Sequence, residues 1–509
     1  MGVIAFVYRF DYNGGMNMVS NDPLAQAVAE HALALYHKGQ YEEVLRGIDT
    51  ILTEALSAPL LGVAASCAYA IERYDTAESY WRRAIAMQKD YIDGYNDLGI
   101  ALKELKRFDE AESVFAQALE LDPNNAELYN NLANVFKEVS ALEKAEEAYK
   151  KAITLNPEYT DAYRNLGMLL KSLSRLSEAE DVYRHTLRLK PDCARTQANL
   201  GFLLLETGRY KEGWPLYETR YDPQINATFP IPSVSFPQWK GEPLEGKSLL
   251  IVAEQGYGDE IQFVRYIAVL KRQGVSRITL LCKSPLQRLF STLYDTDEVI
   301  TSIETAGEHD YWSFLLSIPL HVGTTLENIP ASLPYLYPLP KENTNTMPEN
   351  IFRVGLVWKG SSAHENDANR SLPSLAILAP LWRVSGVTFI SLQKSDVGAE
   401  IDSFSPELPI IDMGDTIEDF ADTSALINQL DLVICVDTAI AHLCGALGKS
   451  CWILLPFIGT DWRWLRGRSD SPWYPKVMRL FRQTRPDCWD ETIDDVAMAL
   501  LDEVKKGRV

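Results

Sequence analysis

The stretch DLVICVDTAIAHLCGALG, residues 431–448, contains a complete strand–turn–helix pattern. Residues 432–436 are an unbroken apolar run, short enough for a strand that is buried on both faces of a parallel sheet. Asp437 and Thr438 interrupt the run with residue types that cap helices, and residues 439–447 have the composition of a helix rich in small side chains. The stretch therefore predicts an α/β sheet.

The turn after this strand is also a candidate anion-binding site. The free backbone N–H groups of the first helical turn and the helix dipole both favour negative charge at the carboxyl end of a strand. Asp437, Thr438 and Ala439 are therefore candidates for holding a phosphate group through their backbone. The alternative is a plain strand–helix unit in which Asp437 only caps the helix.

The composition is that of a globular chain with more than one domain. A chain of 509 residues with 46% apolar residues can form two or more domains, each with its own core. The 49 Lys and Arg residues against 70 Asp and Glu residues give a net charge of −21, and no basic patch interrupts this acidity. We therefore expect neither nucleic acid nor an anionic membrane as a partner. No apolar run reaches the length that crosses a bilayer.

The seven cysteines form no C-x-x-C pair and mostly lie in apolar runs. This usage is typical of reduced core residues, so the sequence predicts a cytoplasmic protein without a disulfide framework. The apolar run at residues 3–8 is too short for a signal peptide, and no small-residue cleavage site follows it. We expect residues 1–22 to be disordered or non-native, with Met16 or Met18 as the natural start.

Between residues 23 and 224 the sequence repeats at an interval of 34 residues. The recurring positions are Leu98, Leu132, Leu166 and Leu200, then Ala77, Ala111, Ala145 and Ala179, and finally Pro123, Pro157 and Pro191. Small residues, aromatic residues and a helix-ending proline at this spacing form the tetratricopeptide pattern. The sequence therefore predicts an α superhelix, a solenoid of stacked helix pairs.

Such a solenoid has a concave groove suited to an extended peptide. Asn131, Asn165 and Asn199 recur at one repeat position, and Asp97 takes the same position in the preceding repeat. A ladder of carboxamides can both donate and accept hydrogen bonds, so it can grip a peptide backbone whatever its sequence. The three asparagines are therefore candidates for binding a protein or peptide acceptor. The alternative is that they bond within a helix or between repeats.

A Pro-rich linker at residues 225–246 precedes a first Rossmann-like half at residues 247–340. Its first apolar run ends in the turn EQGYGDE, residues 254–260, before a helical pattern. This is a second place where the backbone could approach a polar ligand closely. The turn matches neither G-x-G-x-x-G nor a P-loop, so it predicts neither a dinucleotide site nor an ATPase.

A second linker, residues 341–350, precedes a second half at residues 351–509. In this half Lys359, Arg370 and Lys394 follow strands, or lie in the loop before a helix predicted at residues 374–384. Because the carboxyl ends of parallel strands share one edge of a sheet, we expect these residues at the edge where Thr438 presents its N–H groups. The guanidinium of Arg370 could bind two phosphate oxygens there. The alternative for Arg370 is a solvated loop charge.

Two further features each permit two interpretations. Residues 295–297 match the D-x-D metal pattern of some sugar transferases, but two carboxylates alone make a poor site for a hard cation, and we predict no metal. The loop at residues 460–475 is rich in aromatic residues, which could stack on a base or sugar or pack the loop onto the first half. These residues are Trp462, Trp464, Trp473 and Tyr474.

Residues 214–509 resemble the bacterial tetratricopeptide-linked glycosyltransferases. The segments that carry the resemblance are EQGYGDEIQFVRY, VGLVWKGSSAHENDANRSLP, SLQK, LDLVICVDTAIAHLCGALGK and DWRWLRGRSDSPWYP. This part is similar to glycosyltransferase family nine, the heptosyltransferases, and more distantly to the protein O-GlcNAc transferases. The resemblance implies a GT-B architecture, in which two Rossmann-like halves face a cleft and the second half binds a nucleotide sugar.

The resemblance also implies an activity: metal-independent, inverting transfer of a sugar from a nucleotide sugar to a hydroxyl, with no cofactor. Asp259 matches the family's general base, for which the alternative is a cap of the following helix. The resemblance assigns Arg370, Asp437, Thr438, Ala439 and His442 to the donor site. We add as further donor-site candidates Gln255, Gly258, Lys359, Gln393 and Lys394. Ala439 departs from the family's glycine. We expect a protein acceptor on the repeat array; the alternatives are a surface-polysaccharide transferase, or a scaffold with an inactive transferase domain.

Overall fold

The computed structural model of the protein describes residues 23–50, 57–226, 230–340, 351–394, 400–401 and 410–506. The chain divides into two compact units, Met1–Asp192 and Cys193–Val509. The N-terminal segment 1–22 and the linker 341–350 lie outside the described residues, so the expectations about them remain predictions.

The described part of the first unit consists of successive helices. They are α1 (Pro23–His37), α2 (Tyr41–Asp49), α3 (Ala58–Ala70), α4 (Tyr74–Met87), α5 (Ile92–Glu104), α6 (Phe108–Leu121), α7 (Ala126–Glu138), α8 (Leu142–Leu155), α9 (Thr160–Ser172) and α10 (Leu176–Leu189). Small residues let the helices of a pair approach, since a Cβ on Gly99 would lie 2.5 Å from the ring of Phe115. A Cβ on Gly167 would lie 2.4 Å from the ring of Tyr183. The predicted helical solenoid is confirmed.

The second unit begins with one more helix pair, α11 (Ala194–Glu206) and α12 (Tyr210–Tyr217), which we call the last helix pair. Its strands are β1 (Ser248–Val252), β2 (Arg277–Leu281), β3 (Glu298–Ile300), β4 (Tyr311–Phe314), β5 (Phe352–Val357), β6 (Val387–Ser391), β7 (Ile410–Asp412), β8 (Leu432–Val436), β9 (Cys451–Leu455) and β10 (Met478–Arg482). Its other helices are α13 (Tyr257–Phe263), α14 (Tyr266–Arg272), α15 (Gln287–Phe290), α16 (Ile318–His321), α17 (Asp367–Arg370), α18 (Phe420–Asn428), α19 (Ala439–Ala446) and α20 (Asp490–Lys506).

The strands form two parallel sheets. The first has the order β3-β2-β1-β4 and the second the order β10-β9-β8-β5-β6-β7. In the second sheet β8 lies between β5 and β9, with Leu356 opposite Ile434 and Cys435 opposite Ile453. All five residues of β8 are buried, as the apolar run predicted. The expected α/β architecture is therefore present, and β1 and β8 are inner strands of their sheets.

One element differs in kind from the prediction. The helix expected at residues 374–384 is a 3-10 helix, Leu375–Arg383, with Pro380 in its interior. Proline lacks the N–H that an α-helix requires at an interior position, so the segment winds more tightly.

The division between the two compact units falls between residues 192 and 193, before the last helix pair, and the end of the repeat array at residue 224 stays a prediction. The last helix pair belongs to the second unit because its aromatic side chains join the core of the sheets. The ring of Trp214 lies 6.4 Å from that of Phe263 and 5.4 Å from that of Trp462. Arg220, just after α12, pairs with buried Glu254 after β1, with Nη2 2.7 Å from Oε1.

Candidate functional site

The first turns of α13 and α19 touch each other. Each helix follows a buried inner strand, β1 or β8, so the two turns lie at the carboxyl ends of those strands. A Cβ on Gly258 would lie 2.8 Å from Cδ2 of His442 and 3.4 Å from Cα of Ala439. The missing side chain at position 258 therefore allows the two predicted ligand-binding turns to meet.

Asp259 lies in the first turn of α13 with 18% of its side chain exposed. Its Oδ2 accepts a hydrogen bond from the N–H of Gly256 at 2.7 Å, which is the capping role left open by the sequence. Its Oδ1 is paired with the guanidinium of Arg463. The carboxylate is thus held in one orientation, and each oxygen keeps a further lone pair for a ligand.

Arg463 was given no role by the sequence, yet its side chain is only 5% exposed at the centre of this site. Its Nη1 lies 3.0 and 2.8 Å from the two carboxylate oxygens of Asp461. Burial disfavours the charge on Arg463, but the carboxylates of Asp461 and Asp259 outweigh burial and raise its pKa. A charged guanidinium therefore joins two carboxylates inside the protein.

Asp437 and Thr438 form the turn between β8 and α19. Burial, followed by the negative charge of Asp461, raises the pKa of Asp437 to about 7. Thr438 takes the N-cap position, but no side-chain hydrogen bond caps α19, and the buried Oγ1 of Thr438 has no partner in the described part of the chain. The expected side-chain capping is absent, which leaves the first N–H groups of α19 without a side-chain acceptor.

Arg370 reaches this turn. Its Nη1 donates to the carbonyl oxygen of Asp437 at 3.1 Å, and its Nε lies 3.3 Å from Oδ1 of Asp367. Only 13% of the side chain is exposed, so the alternative of a solvated loop charge is wrong. The structure brings Arg370 to the end of β8, as the sequence predicted.

Gln393, Lys359 and Lys394 lie near the carboxyl ends of β5 and β6 and contact the protein itself. The side chain of Gln393 accepts from the N–H of Lys359 at 3.0 Å and donates to the carbonyl of the same residue at 3.1 Å. The Nζ of Lys359 lies 2.9 Å from Glu400, and that of Lys394 donates to the carbonyl of Glu418 at 2.8 Å. These three side chains fix the loops that border the Asp437 turn.

His442, in α19, is buried and uncharged. Its ring stacks on Trp464 at a centroid distance of 5.0 Å, and its Nδ1 lies 2.9 Å from the hydroxyl of Tyr474. Burial, with the nearby charge of Arg463, lowers the pKa of His442 to about 3. At neutral pH the ring therefore adds no positive charge to the site, and it contributes packing and a hydrogen bond.

Gln255 connects the first turn to the last helix pair. Its backbone is in the left-handed region at φ 62°, and its side-chain oxygen accepts from the hydroxyl of Tyr217 at 3.2 Å. Lys283 donates to the carbonyl oxygen of Gln255. The backbone before Gly256 is therefore held from two sides.

The asparagines of the first unit form hydrogen bonds between repeats. Asn131 donates to Asn96 at 2.8 Å, and Asn165 donates to Asn130 at 2.9 Å. Asn130 in turn donates to Asn131 at 3.2 Å, which links the four amides into one chain. The alternative of inter-repeat bonding is confirmed for Asn131 and Asn165, whereas Asn199 is a half-buried residue of α11 in the second unit.

Comparison with known proteins identifies the helical array. Two family models, both described as tetratricopeptide repeat, match residues 91–158 and 130–192. Together these matches span α5 to α10. These helix pairs are tetratricopeptide repeats.

The chain is also similar to a curated relative and to solved structures. It is 30% identical over 322 residues to Protein FlbA of Caulobacter vibrioides, an alignment of 57% of this chain and 52% of that protein, so the chain spans about half the length of this relative. TTC0263, a thermophilic TPR protein in Thermus thermophilus, is 23% identical, with 36% of this chain and 99% of that chain covered at a TM-score of 0.32. PilF of Pseudomonas aeruginosa is 19% identical, with 40% and 92% covered at a TM-score of 0.34.

The aromatic loop that follows β9 is buried against the last helix pair within the second unit. The ring of Trp473 lies 5.6 Å from that of Phe263, and its Nε1 donates to the hydroxyl of Tyr210 in α12 at 3.0 Å. All four aromatic residues of this loop singled out above are less than 5% exposed. The packing interpretation is therefore confirmed, and none of these rings is open to stack on a base or sugar.

Among the described residues, no cluster of three or more His, Cys, Asp or Glu side chains is arranged to bind a metal ion. None of the helices described above combines the length and the hydropathy of a membrane span. Asp297 of the D-x-D pattern accepts from Lys271 at 2.6 Å and from the N–H of Ile278 at 2.7 Å. Those bonds tie it to the first sheet.

Proposed function

We propose that the protein is a cytoplasmic, inverting glycosyltransferase of GT-B architecture. In this proposal it moves a sugar from a nucleotide sugar to a hydroxyl, without a metal ion or other cofactor. The observation that supports it most is the contact between the first turns of α13 and α19. This contact sets a carboxylate, Asp259, near the start of α19, which no side chain caps and where Arg370 donates to the carbonyl oxygen of Asp437. Together these groups have the chemistry of a base and a diphosphate site.

The proposed reaction is a single displacement. The acceptor hydroxyl attacks the anomeric carbon from the face opposite the nucleoside diphosphate; a new C–O bond forms as the bond to the diphosphate breaks, and the configuration inverts. Asp259 takes the hydroxyl proton. Arg370 and the N–H groups of Thr438 and Ala439 stabilise the departing diphosphate.

The remaining donor-site residues support the same turn. Lys359, Gln393 and Lys394 hold the bordering loops, Gly258 permits the close approach, and Gln255 anchors the base-bearing turn. His442 packs behind the diphosphate turn in its neutral form. In this proposal Arg370 is the residue whose positive charge contacts the diphosphate.

We further propose that the acceptor is a protein or peptide bound by the tetratricopeptide repeats. Asn131 and Asn165 are half-buried, and each carboxamide is oriented by its bond to the preceding repeat. An amide held in this way keeps hydrogen-bonding capacity for a peptide backbone. Asn199 continues the same sequence position into α11.

A second candidate function is a scaffold whose transferase domain is inactive. One observation favours it: both oxygens of Asp259 already have a partner in the protein. An oxygen that already has a partner must exchange it, or use its second lone pair, to reach an acceptor hydroxyl. The two candidates differ in whether a nucleotide binds and turns over.

Thermal melting with UDP, GDP, ADP, CMP and their sugars tests the proposal. A ligand at a hundred times its dissociation constant stabilises by about 2.7 kcal/mol. We expect one nucleotide class to raise the melting temperature of the wild type and not that of Arg370→Ala. Arg468→Gln is the matched control, because Arg468 pairs with Asp470 at the surface of the same unit.

The outcomes separate the candidates. Stabilisation of the wild type and of Arg468→Gln, with none in Arg370→Ala, supports a donor site that uses Arg370. If no nucleotide or nucleotide sugar raises the melting temperature at millimolar concentration, the scaffold is the better description. If a nucleotide sugar does bind, a transfer assay with protein and polysaccharide acceptors identifies the acceptor class.

A further inference from the structure

The base proposed at Asp259 is held by a residue from the other half of the second unit. Asp259 follows β1, whereas Arg463 lies in the 3-10 helix Trp462–Trp464 after β9, 204 positions along the chain. Arg463 is the basic partner of the Asp259 carboxylate, and Gly256 supplies only a backbone N–H.

Contacts other than the one with Asp259 also fix the orientation of the Arg463 guanidinium. Asp461 binds Nη1 of Arg463 with both oxygens and accepts from the backbone N–H of Arg463 at 2.9 Å. The guanidinium carbon lies 4.6 Å from the ring centre of Trp462 and 5.5 Å from that of Phe263. Arg463 therefore presents Nη2 to Asp259 from a single orientation.

The last helix pair holds the loop that carries Arg463. The ring of Trp462 lies 5.4 Å from Trp214, 6.0 Å from Tyr217 and 6.0 Å from Tyr210. Tyr217 also bonds to Gln255, on the backbone that leads to Asp259. The same helix pair thus contacts both segments that meet at the ion pair.

We propose that Arg463 is a positioning residue for the transfer reaction: it holds the Asp259 carboxylate in one orientation at the site. This inference rests on the proposed function. A base must lie within about 2.6–3.2 Å of the proton it takes, and an aspartate on a first helical turn has a rotatable side chain. The buried guanidinium of Arg463 removes that freedom, because its Nη2 is bonded to Oδ1 of Asp259.

A purely structural role for the pair makes a different prediction. A buried ion pair whose one partner is removed destabilises the fold, so a structural role changes the melting temperature and the folded fraction. It leaves the rate per folded molecule unchanged. The deciding readouts are therefore kcat and KM per folded molecule.

The experiment compares Arg463→Gln, Arg463→Lys and Asp461→Asn with the wild type in the full chain. Arg468→Gln is the control on the same loop, since Arg468 pairs with Asp470 rather than with Asp259. Nucleotide release from UDP-, GDP-, ADP- and CMP-sugars gives kcat and KM across pH 5–9. Melting temperature and tryptophan fluorescence report the folded fraction of each variant.

For Arg463→Gln we expect kcat to fall at least ~10-fold, up to the ~100-fold often lost with a general base, and KM to change less than ~3-fold. Arg463→Lys keeps a cation that can bond to one carboxylate oxygen, so its kcat falls less. Arg468→Gln behaves as the wild type.

An unchanged kcat in folded Arg463→Gln would overturn the inference. If Arg463→Gln does not fold, Arg463→Lys and Asp461→Asn decide by the same criterion, and losses that only follow the folded fraction also overturn it. A wild type that releases nucleotide from none of the sugars overturns the proposed function, and this inference with it. An inactive wild type reports failure of the proposed function, whereas failure of this inference is seen by comparing the variants with an active wild type. The two failures are therefore distinguishable.

Discussion

Asp437 should make the stability of the protein depend on pH. Its folded pKa of about 7 lies above the value near 3.9 of an unfolded aspartate. Between these values the folded state binds more protons than the unfolded state, so stability is fully present below about pH 4 and is lost as the pH rises through 7. This residue also lies at the proposed diphosphate site, where its ionisation would repel a ligand.

We therefore expect Asp437→Asn to raise the free energy of unfolding at pH 8 by roughly 1–3 kcal/mol and to change it little at pH 4. Urea unfolding followed by tryptophan fluorescence at both pH values measures the difference. Asp470→Asn is the control, because Arg468 lowers the pKa of Asp470 and its removal should act in the opposite sense. An equal effect of Asp437→Asn at both pH values would contradict the assignment.

The contact between α13 and α19 depends on Gly258. A Cβ there would lie 2.8 Å from His442 and 3.4 Å from the backbone of Ala439, and the buried ring of His442 is held by Trp464. We expect Gly258→Ala to lower stability by about 1–3 kcal/mol through overpacking, and to weaken nucleotide binding as the turns separate. Melting temperatures with and without nucleotide give both effects.

Gly47→Ala is the matched control for this substitution. Gly47 lies in α2 with open space around a built Cβ, so alanine should be neutral or stabilise by up to ~1 kcal/mol. If Gly258→Ala proves as harmless as Gly47→Ala, the close approach of the two helices is not required.

The amide chain across the repeats should contribute to the stability of the first unit. Asn130 is 4% exposed, donates to Asn131 and accepts from Asn165. Asn130→Ala breaks both bonds and leaves partly buried amide groups unpaired, so we expect a loss of about 1–3 kcal/mol. Thermal unfolding followed by circular dichroism measures it.

Asn124→Ala provides the comparison, since the side chain of Asn124 is exposed just before α7. Its unfolding should differ from that of the wild type by less than ~0.5 kcal/mol. Equal melting temperatures of Asn130→Ala and Asn124→Ala would mean that the hydrogen-bonded amides do not stabilise the first unit.

For the whole molecule, the structure predicts where the C-terminal unit can be separated. A chain beginning at residue 193 keeps the last helix pair, whereas one beginning at residue 225 removes Trp214, Tyr217 and Arg220. The latter loses buried aromatic contacts and leaves Glu254 buried without its guanidinium, which alone costs about 3–5 kcal/mol. We expect residues 193–509 to melt cooperatively and residues 225–509 to aggregate or melt far lower.

Expression of both chains, with size-exclusion chromatography and thermal melting, checks this boundary. Equal solubility and equal melting temperatures would show that the last helix pair is dispensable for the fold of the sheets. The outcome also bears on Arg463, because the loop that carries it packs on the same helix pair.

Patterns in the sequence were sufficient to predict many of the helices and strands and part of the candidate functional site. A 34-residue interval identified the helical repeats, and one apolar run identified β8 and the turn at Asp437. Strand ends in a parallel sheet share one edge, so Arg370 could be placed at that turn without coordinates. The repeats and β8 are visible as patterns in the sequence itself, and the position of Arg370 follows from the topology of a parallel sheet.

Only the tertiary structure decided the contacts between distant segments. The pairing of Arg463 with Asp259 joins residues 204 positions apart, and no local pattern marks a loop arginine as the buried partner of a first-turn carboxylate. The neutral state of His442 and the assignment of α11 and α12 to the second unit likewise depend on what surrounds each group. Burial and neighbouring charge are set by packing, and a single sequence carries periodicity but not the neighbours that folding brings together.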